Sequence, residues 1–325
     1  MKEIKIGGNE AGQRLDKFLS KYMDQAPKSF FYKMLRKKNI VLNGKKAAGN
    51  EILSQGDSVK LFLSDETIEK FTGKKTESPV KLSGEKPAIL YEDEHTVFFC
   101  KPAGMLSQKA EAADVSLVEY LISYLMESGQ LRESDLQTFR PSVCNRLDRN
   151  TSGIVAAGKT LPALQQLSQV FRERTIGKYY LCLVKGNVAE GKKISGYLSK
   201  DEKTNKVSVQ KEKRGDAARI ETEYRPLKQS GDVTLLEIHL ITGKTHQIRA
   251  HLASEGHPII GDYKYGNRSA NDRYKKQYGL ESQLLHSYRL CFPKMDGALE
   301  QLSGKEILAP VPDLFLKICR DRGVM

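Results

Sequence analysis

Asp148 lies in the stretch Asn145-Arg146-Leu147-Asp148-Arg149-Asn150-Thr151-Ser152-Gly153, between two arginines and just ahead of a turn-forming Asn-Thr-Ser-Gly. Adjacent cations hold a carboxylate ionised, and an ionised, positioned carboxylate can act as a base or a nucleophile. The plainer reading of the same residue is a turn or cap aspartate. A second polar stretch runs from Thr242 to Leu252, Thr-Gly-Lys-Thr-His-Gln-Ile-Arg-Ala-His-Leu. There Arg249 falls one turn into an expected helix, where its guanidinium can form a fork to a carboxylate. His246, His251 and His257 raise the question of a metal. Their spacing of five and six argues against one, because a zincin pair needs i and i+4 with a Glu between. The five cysteines (Cys100, Cys144, Cys182, Cys291, Cys319) are scattered without a C-x-x-C pair. That excludes a zinc ribbon or disulfide scaffold, fits a reducing cytoplasm, and makes each an expected buried, inert thiol. Neither a P-loop nor a G-x-G-x-x-G loop occurs, so no nucleotide cofactor is expected.

These residues need elements to hold them. From Ala88 onward, Ile89-Leu90-Tyr91 and Thr96–Cys100 read as strands around the turn Glu92-Asp93-Glu94. Ser116 and Glu119 have capping-box spacing ahead of a helix that ends near Gly129. A helix is expected over Leu161–Arg174, and strands over Tyr179–Val184, Ile220–Tyr224 and Val233–Ile241. A further helix is expected from His246 to Ser254, with Thr245 as its cap and Gly256 as its terminator. Strands interspersed with helices, several of them hairpin-like, predict an α+β domain with a mixed sheet rather than a regular βαβ winding. The charged stretch Lys200–Arg214 reads as a solvated loop, with an extra ligand-contacting hairpin as the alternative.

The first sixty residues differ in character. Leu15, Phe18, Leu19 and Tyr22 fall at i, i+3, i+4 and i+7, one face of a helix. A second short helix follows Pro27, with Ser29 as its cap and Phe31, Met34 and Leu35 facing inward. It ends in Arg36-Lys37-Lys38, positive charge at a helix C-terminus. Ile40-Val41-Leu42 then reads as a strand entering the hairpin signal Asn43-Gly44, and a second turn at Gly56-Asp57 precedes the strand Val59–Leu63. The 325-residue chain carries a net charge of +13. Residues 1–62 hold thirteen Lys/Arg against six Asp/Glu, which gives +7, more than half of the total. A small, dense basic unit beside a larger, balanced one suggests a nucleic-acid handle on an enzyme; a lysine-rich solvated surface is the alternative. Residues 64–87 lose periodicity, are rich in Lys, Glu, Thr, Ser and Gly, and read as a flexible linker. The expected organisation is therefore 1–63, a 64–87 linker, and 88–325. No run approaches the ~18 apolar residues of a membrane helix, and the N-terminus has no signal-peptide segment, so a cytoplasmic protein is expected.

Two resemblances follow. Arg14-Leu15-Asp16-Lys17-Phe18-Leu19, the basic second helix, Val41-Leu42-Asn43-Gly44-Lys45 and Gly56-Asp57 resemble the S4-like RNA-binding domain. That implies an RNA-docking face formed by Arg14, Lys33, Arg36, Lys37, Lys38, Lys45 and Lys46. Such a face works by phosphate neutralisation and shape. The chain from about Ala88 resembles the RluA-type pseudouridine synthases, nearest to the RluC/RluD-like branch that acts on large-subunit rRNA. The motifs carrying this are Lys101-Pro102-x-Gly104, Arg146-Leu147-Asp148-x-x-Thr151-Ser152-Gly153 and Lys178-x-Tyr180-Leu181. They continue with Gly243-x-Thr245-His246-Gln247-Ile248-Arg249, Gly256-His257-Pro258-Ile259 through Gly261-Asp262-x-x-Tyr265-Gly266, and Leu285-His286-x-x-x-Leu290. One position departs: Asn145 stands where the family usually has His.

The resemblance implies a catalytic domain built on a mixed, largely antiparallel sheet. It also implies isomerisation of specific uridines to pseudouridine in 23S rRNA or a large-subunit precursor, without cofactor or metal. Asp148 is then the essential carboxylate, Arg249 its partner and Tyr180 the residue against the flipped base. Leu285 packs on the uracil, Lys101 and Thr151 support the pocket, and Arg146 and Arg149 meet RNA phosphates or form ion pairs. The histidines are left to RNA contact or buried hydrogen bonds. A monomer is expected. The competing readings are a tRNA substrate, a catalytically idle ribosome-assembly factor and a metal-dependent RNA hydrolase.

Overall fold

The apolar stripes of the N-terminal helices close a small core. In the computed structural model, which describes residues 1–73, 86–111, 113–201, 204 and 206–325, strand β1 (Lys2–Lys5) leads to helices α1 (Leu15–Tyr22) and α2 (Lys28–Arg36). Leu15, Phe18, Leu19 and Tyr22 are the buried stripe of α1; Phe31, Met34 and Leu35 are that of α2. Ser29 does not cap α2. Pro27 holds the cap position with extended backbone, which places Ser29 inside the first turn. Strands β2 (Ile40–Leu42) and β3 (Lys45–Lys46) turn through Asn43-Gly44, both at positive φ as a two-residue hairpin demands. Strand β4 (Ser58–Leu61) pairs with β2 and recruits the polar segment β1 as an edge, in the order β1-β4-β2-β3.

The expected linker is partly a helix. Ser64 accepts a hydrogen bond from the Thr67 amide at 3.3 Å and starts α3 (Asp65–Phe71). Ile68 and Phe71 of α3 pack on the N-terminal core, and the Phe71 ring lies 4.7 Å from that of Phe30. The basic unit thus runs through Phe71, and residues 74–85 of the expected linker lie outside the described residues.

The second unit opens with the hairpin β5 (Ala88–Glu92) and β6 (Thr96–Lys101). Ser116 and Glu119 form the expected capping box on α4 (Leu117–Glu127). Then come β7 (Ser142–Val143), β8 (Ser152–Gly158), α5 (Leu161–Glu173) and β9 (Gly177–Lys185). A strand-rich stretch follows: β10 (Lys192–Asp201), β11 (Lys206–Gln210), β12 (Ala218–Ser230) and β13 (Val233–Leu240). The chain finishes with α6 (Gln247–Ser254), α7 (Arg268–Tyr278), β14 (Leu285–Cys291), β15 (Glu306–Leu308) and α8 (Asp313–Asp321).

One sheet runs β11-β10-β12-β13-β9-β14-β8-β6-β5, with β15 on β14 and β7 on β8. Only β14 and β8 pair in parallel among the described strands. One face is covered by α4 and α6, the other by α5, α7 and α8. The Lys200–Arg214 stretch corrects the solvated-loop reading. Its first half completes the β10–β11 hairpin, because Leu198 and Val207 find a core in Ile220 and Ala250. The cysteines divide as well: Cys182 and Cys319 are buried, but Cys100, Cys144 and Cys291 are half-buried. Burial still pushes the thiol of Cys144 up to about 12. Among the described residues no helix is long and apolar enough to cross a membrane.

Candidate active site

Asp148 sits on the loop between β7 and β8, and the loop is fastened from several sides. Asn145 donates from Nδ2 to the Ile154 carbonyl at 3.1 Å and accepts the Ala156 amide on Oδ1 at 2.8 Å, lacing the loop to β8. The Ser107 hydroxyl accepts the Leu147 amide at 3.0 Å and donates to the Leu147 carbonyl at 2.9 Å. Lys101 is fully buried. Its Nζ donates to the carbonyls of Pro102 (2.9 Å), Met105 (2.8 Å) and Arg149 (3.1 Å), tying the Lys101–Met105 turn to the loop just past Asp148. Burial, opposed by the Asp148 charge, pushes its ammonium down to about 7. At the far end Gln283 donates to Thr151 Oγ1 at 3.1 Å. Gly153 closes the loop for a steric reason: it has φ +117°, and a Cβ there would stand 2.1 Å from the Ser287 carbonyl oxygen of β14. Only glycine lets β8 pass β14 so closely.

The cation facing Asp148 comes from α6. Thr245 is not the cap of this helix; His246, in the left-handed region at φ 55°, holds that place. Gln247 locks the turn before it, accepting from the Thr242 hydroxyl (2.8 Å) and donating to the Glu221 carbonyl (2.9 Å). Arg249 then points its Nη1 at Asp148 Oδ2, 3.0 Å away. Its other edge makes a two-point fork to the buried Asp262, Nε to Oδ2 at 2.7 Å and Nη2 to Oδ1 at 3.0 Å. Burial alone would pull the guanidinium pKa down. The hydrogen bonds and charge of Asp262, with Asp148 behind them, outweigh burial and raise it. The arginine is therefore a fixed cation, anchored by one carboxylate and offered to another.

The surroundings are partly apolar. Tyr180 on β9 and Leu285 on β14 share a buried cluster with Leu147 and Ile248. Burial, with a small push from Asp148, drives the Tyr180 hydroxyl up to about 12. His246 Nε2 lies 3.9 Å from Asp148 Oδ2, and its Nδ1 meets the Tyr265 hydroxyl at 2.9 Å. Burial holds the imidazole below its ordinary pKa against the attraction of Asp148. Tyr265 also accepts the Val207 amide at 3.0 Å and lies 5.2 Å under the Arg249 guanidinium. The other two histidines are elsewhere: His251 meets Thr222 Oγ1 at 3.0 Å, and His257 the Lys185 carbonyl at 3.4 Å.

The structure thus brings Asp148, Arg249, Tyr180, Leu285, Lys101 and Thr151 to one place. Arg146 and Arg149 are exposed at its edge, Arg149 donating to the Gly104 carbonyl at 3.2 Å. Of the basic candidates, Lys33, Arg36, Lys37, Lys38, Lys45 and Lys46 are exposed on the α2 end and β3. Arg36 and Lys46 flank a hollow of about 440 Å³. Arg14 differs, since its guanidinium forks onto Asp16 at 3.0 and 2.9 Å. Sequence reasoning assigned no role to Asp262, Tyr265 or Gln247. The motif Gly261-Asp262-x-x-Tyr265 was the available signal, but only folding shows that its carboxylate faces Arg249.

The mixed sheet thus carries an Asp148–Arg249 pair beside the buried Tyr180 and Leu285. The family model described as RNA pseudouridylate synthase matches residues 95–254. A protein of Vibrio cholerae named ribosomal large subunit pseudouridine synthase C is 33% identical over 293 residues, 89% of this chain and 88% of its own length. Its namesake from Vibrio vulnificus is 32% identical over 318 residues, 97% of this chain and 94% of its own. The solved human RNA pseudouridylate synthase domain containing 4 shares the fold, with a TM-score of 0.56 at 23% identity over 71% of this chain and 91% of that one. The chain belongs to the RNA pseudouridylate synthase family, isomerases that convert uridine in RNA to pseudouridine.

Proposed function

We propose that the protein isomerises specific uridines of large-subunit ribosomal RNA, with Asp148 as the essential carboxylate. The observation that carries this reading is the ordered chain Asp262–Arg249–Asp148, which presents one carboxylate, about a quarter exposed, beside the buried Tyr180 and Leu285. The relatives named as ribosomal large subunit enzymes over nearly the whole chain support the substrate. The reaction breaks the N1–C1′ bond, turns the base, and forms a C5–C1′ bond. The C5 proton leaves and N1 gains one, so nothing is consumed.

Arg249 holds Oδ2 of Asp148, and Oδ1 is the atom we assign to the substrate. An ionised carboxylate placed there can attack C1′ or remove a sugar proton. Tyr180 and Leu285 offer the surface for a base flipped out of the RNA, whose unstacking costs a few kcal/mol. With its hydroxyl pushed up to about 12, Tyr180 works as a neutral phenol rather than a phenolate. Lys101 and Thr151 position the Asp148 loop rather than touch the base. Asn145 is occupied by β8 backbone, which places the departure from the family pattern behind the reacting carboxylate. The N-terminal unit supplies the RNA-docking face through α2 and β3.

Pseudouridine mapping by carbodiimide-block primer extension on unmodified large-subunit rRNA and on a tRNA pool tests this. We expect new stops in the rRNA with wild type and none with Asp148→Asn, which should still bind the RNA within a few-fold. Stops confined to tRNA would overturn the substrate, and turnover by Asp148→Asn would overturn the mechanism.

A further inference from the structure

A second cluster of cations lies beside the Asp148 site. A hollow of about 340 Å³ opens between the corner joining α5 to β9, the start of β12 and the turn before α6. Arg174, Arg219, Glu221, Thr242 and Lys244 line it. The one acid among them is already engaged: Glu221 pairs with Arg219 at 2.6 Å and with Lys193 at 3.8 Å. No acidic partner of Arg174 or Lys244 occurs among the described residues. Arg174 ends α5 as its left-handed cap at φ 63° and is exposed.

Lys178 is a further cation near Arg174. It is 8% exposed, and its Nζ donates to the Ile241 carbonyl at 3.5 Å, next to Thr242 of the hollow. A buried ammonium with three donors and one long bond is under-satisfied. Burial, and after it the charge of Arg174, pushes its pKa down to about 8. Two cations that disfavour each other without an intervening acid are stabilised when an anion enters.

We infer that Arg174, Lys178 and Lys244 form a binding site for a backbone phosphate of the substrate RNA, one or two nucleotides from the target uridine. The inference rests on the reading that the substrate is RNA. Position argues for the backbone rather than for a free anion. Lys244 precedes His246 by two residues, at most about 7.6 Å from Cα to Cα, and His246 Nε2 is 3.9 Å from Asp148 Oδ2. The hollow is open, as a through-running polymer requires. Clamping a neighbouring phosphate fixes the register in which a uridine meets Asp148, so this site selects by backbone path and not by base identity.

The test uses the full chain with Arg174→Gln/Lys244→Gln. Both residues are exposed, so the fold is kept, and Lys178 is left in place. Lys294→Gln/Lys317→Gln, exposed lysines elsewhere on the surface, serves as the charge-matched control. RNA oligonucleotides carry single neutral methylphosphonate linkages at successive positions around the target uridine. We expect one linkage within two nucleotides of the target whose neutralisation raises the wild-type KM about tenfold with kcat retained. That linkage should be silent in the double variant, which should itself bind native RNA about tenfold worse. Penalties that multiply at every linkage, or a double variant that binds like the control, overturn the site. If wild type makes no product on large-subunit rRNA, the substrate reading has failed separately. The salt dependence of binding to single-stranded RNA then still reads the hollow. The log–log slope should be shallower by up to about 0.7 in the double variant, for one lost phosphate contact on a single strand, and a slope equal to the control's overturns the proposal.

Discussion

Arg249 divides its guanidinium between two carboxylates of different kind, and the division sets what each can do. Asp262 is 1% exposed and takes the two-point fork; Asp148 is partly exposed and takes one bond. Removing one member of a buried pair leaves an uncompensated charge at a cost of about 3–5 kcal/mol. We therefore expect Asp262→Asn to lower unfolding stability by about 3 kcal/mol and to cut kcat, as read by denaturant melts and single-turnover assays. A variant that melts like wild type would remove Asp262 from the anchoring role. Tyr180 gives a pH prediction. Its pKa is raised to about 12, so the neutral phenol persists at every pH below that value and is lost only above it. The kcat profile should show no alkaline limb from Tyr180 between about pH 7 and about 9.5. Tyr180→Phe should lower the rate without changing the shape of the profile. A limb present in wild type and absent in Tyr180→Phe would assign a phenolate.

At the scale of elements, the parallel contact of β8 with β14 does the positioning. It sets Ser152 opposite His286 and Gly153 opposite Ser287, directly behind the Asp148 loop, with the Ser152 hydroxyl 2.9 Å from His286 Nδ1. A methyl at Gly153 meets backbone at 2.1 Å and a strained φ together. Gly153→Ala should cost roughly 2–4 kcal/mol and reduce activity with stability. Full thermal stability in that variant would show that the strands can separate freely. The β10–β11 hairpin reaches the same site from the other side, through the Val207 amide on Tyr265. Its strands were hidden in a run of mixed charge, because only half of each strand's side chains face a core.

Over the whole molecule, charge and chemistry occupy different units. Ile68 and Phe71 place the edge of the basic unit after residue 71, and a link to the catalytic unit runs from the Thr138 hydroxyl to Glu10 at 2.7 Å. Deletion of residues 1–73 should weaken binding to structured RNA and flatten its salt dependence, by up to about 0.9 in log–log slope per lost phosphate contact. The catalytic unit should retain slow turnover at high enzyme concentration. An unchanged slope would reduce α2 and β3 to ordinary solvated surface.

The sequence by itself determined the local and periodic features: the stripes of α1 and α2, the Asn43-Gly44 hairpin, the Ser116–Glu119 capping box, and the motif order that marks Asp148, Tyr180 and Arg249. These depend on spacings of a few residues, which sequence displays directly. Tertiary structure decided what depends on distant partners. His246 rather than Thr245 caps α6 because Gln247 fixes the preceding turn against β12. Residues 65–71 become a helix because Phe30 offers Phe71 a partner. The anchoring of Arg249 by Asp262, the grip of Lys101 on the Asp148 loop, and the opening of one hollow between Arg174 and Lys244 all join residues from separate elements. Their pairings carry no short-range signature, since they arise only when the sheet order brings β8, β9, β12 and β14 together.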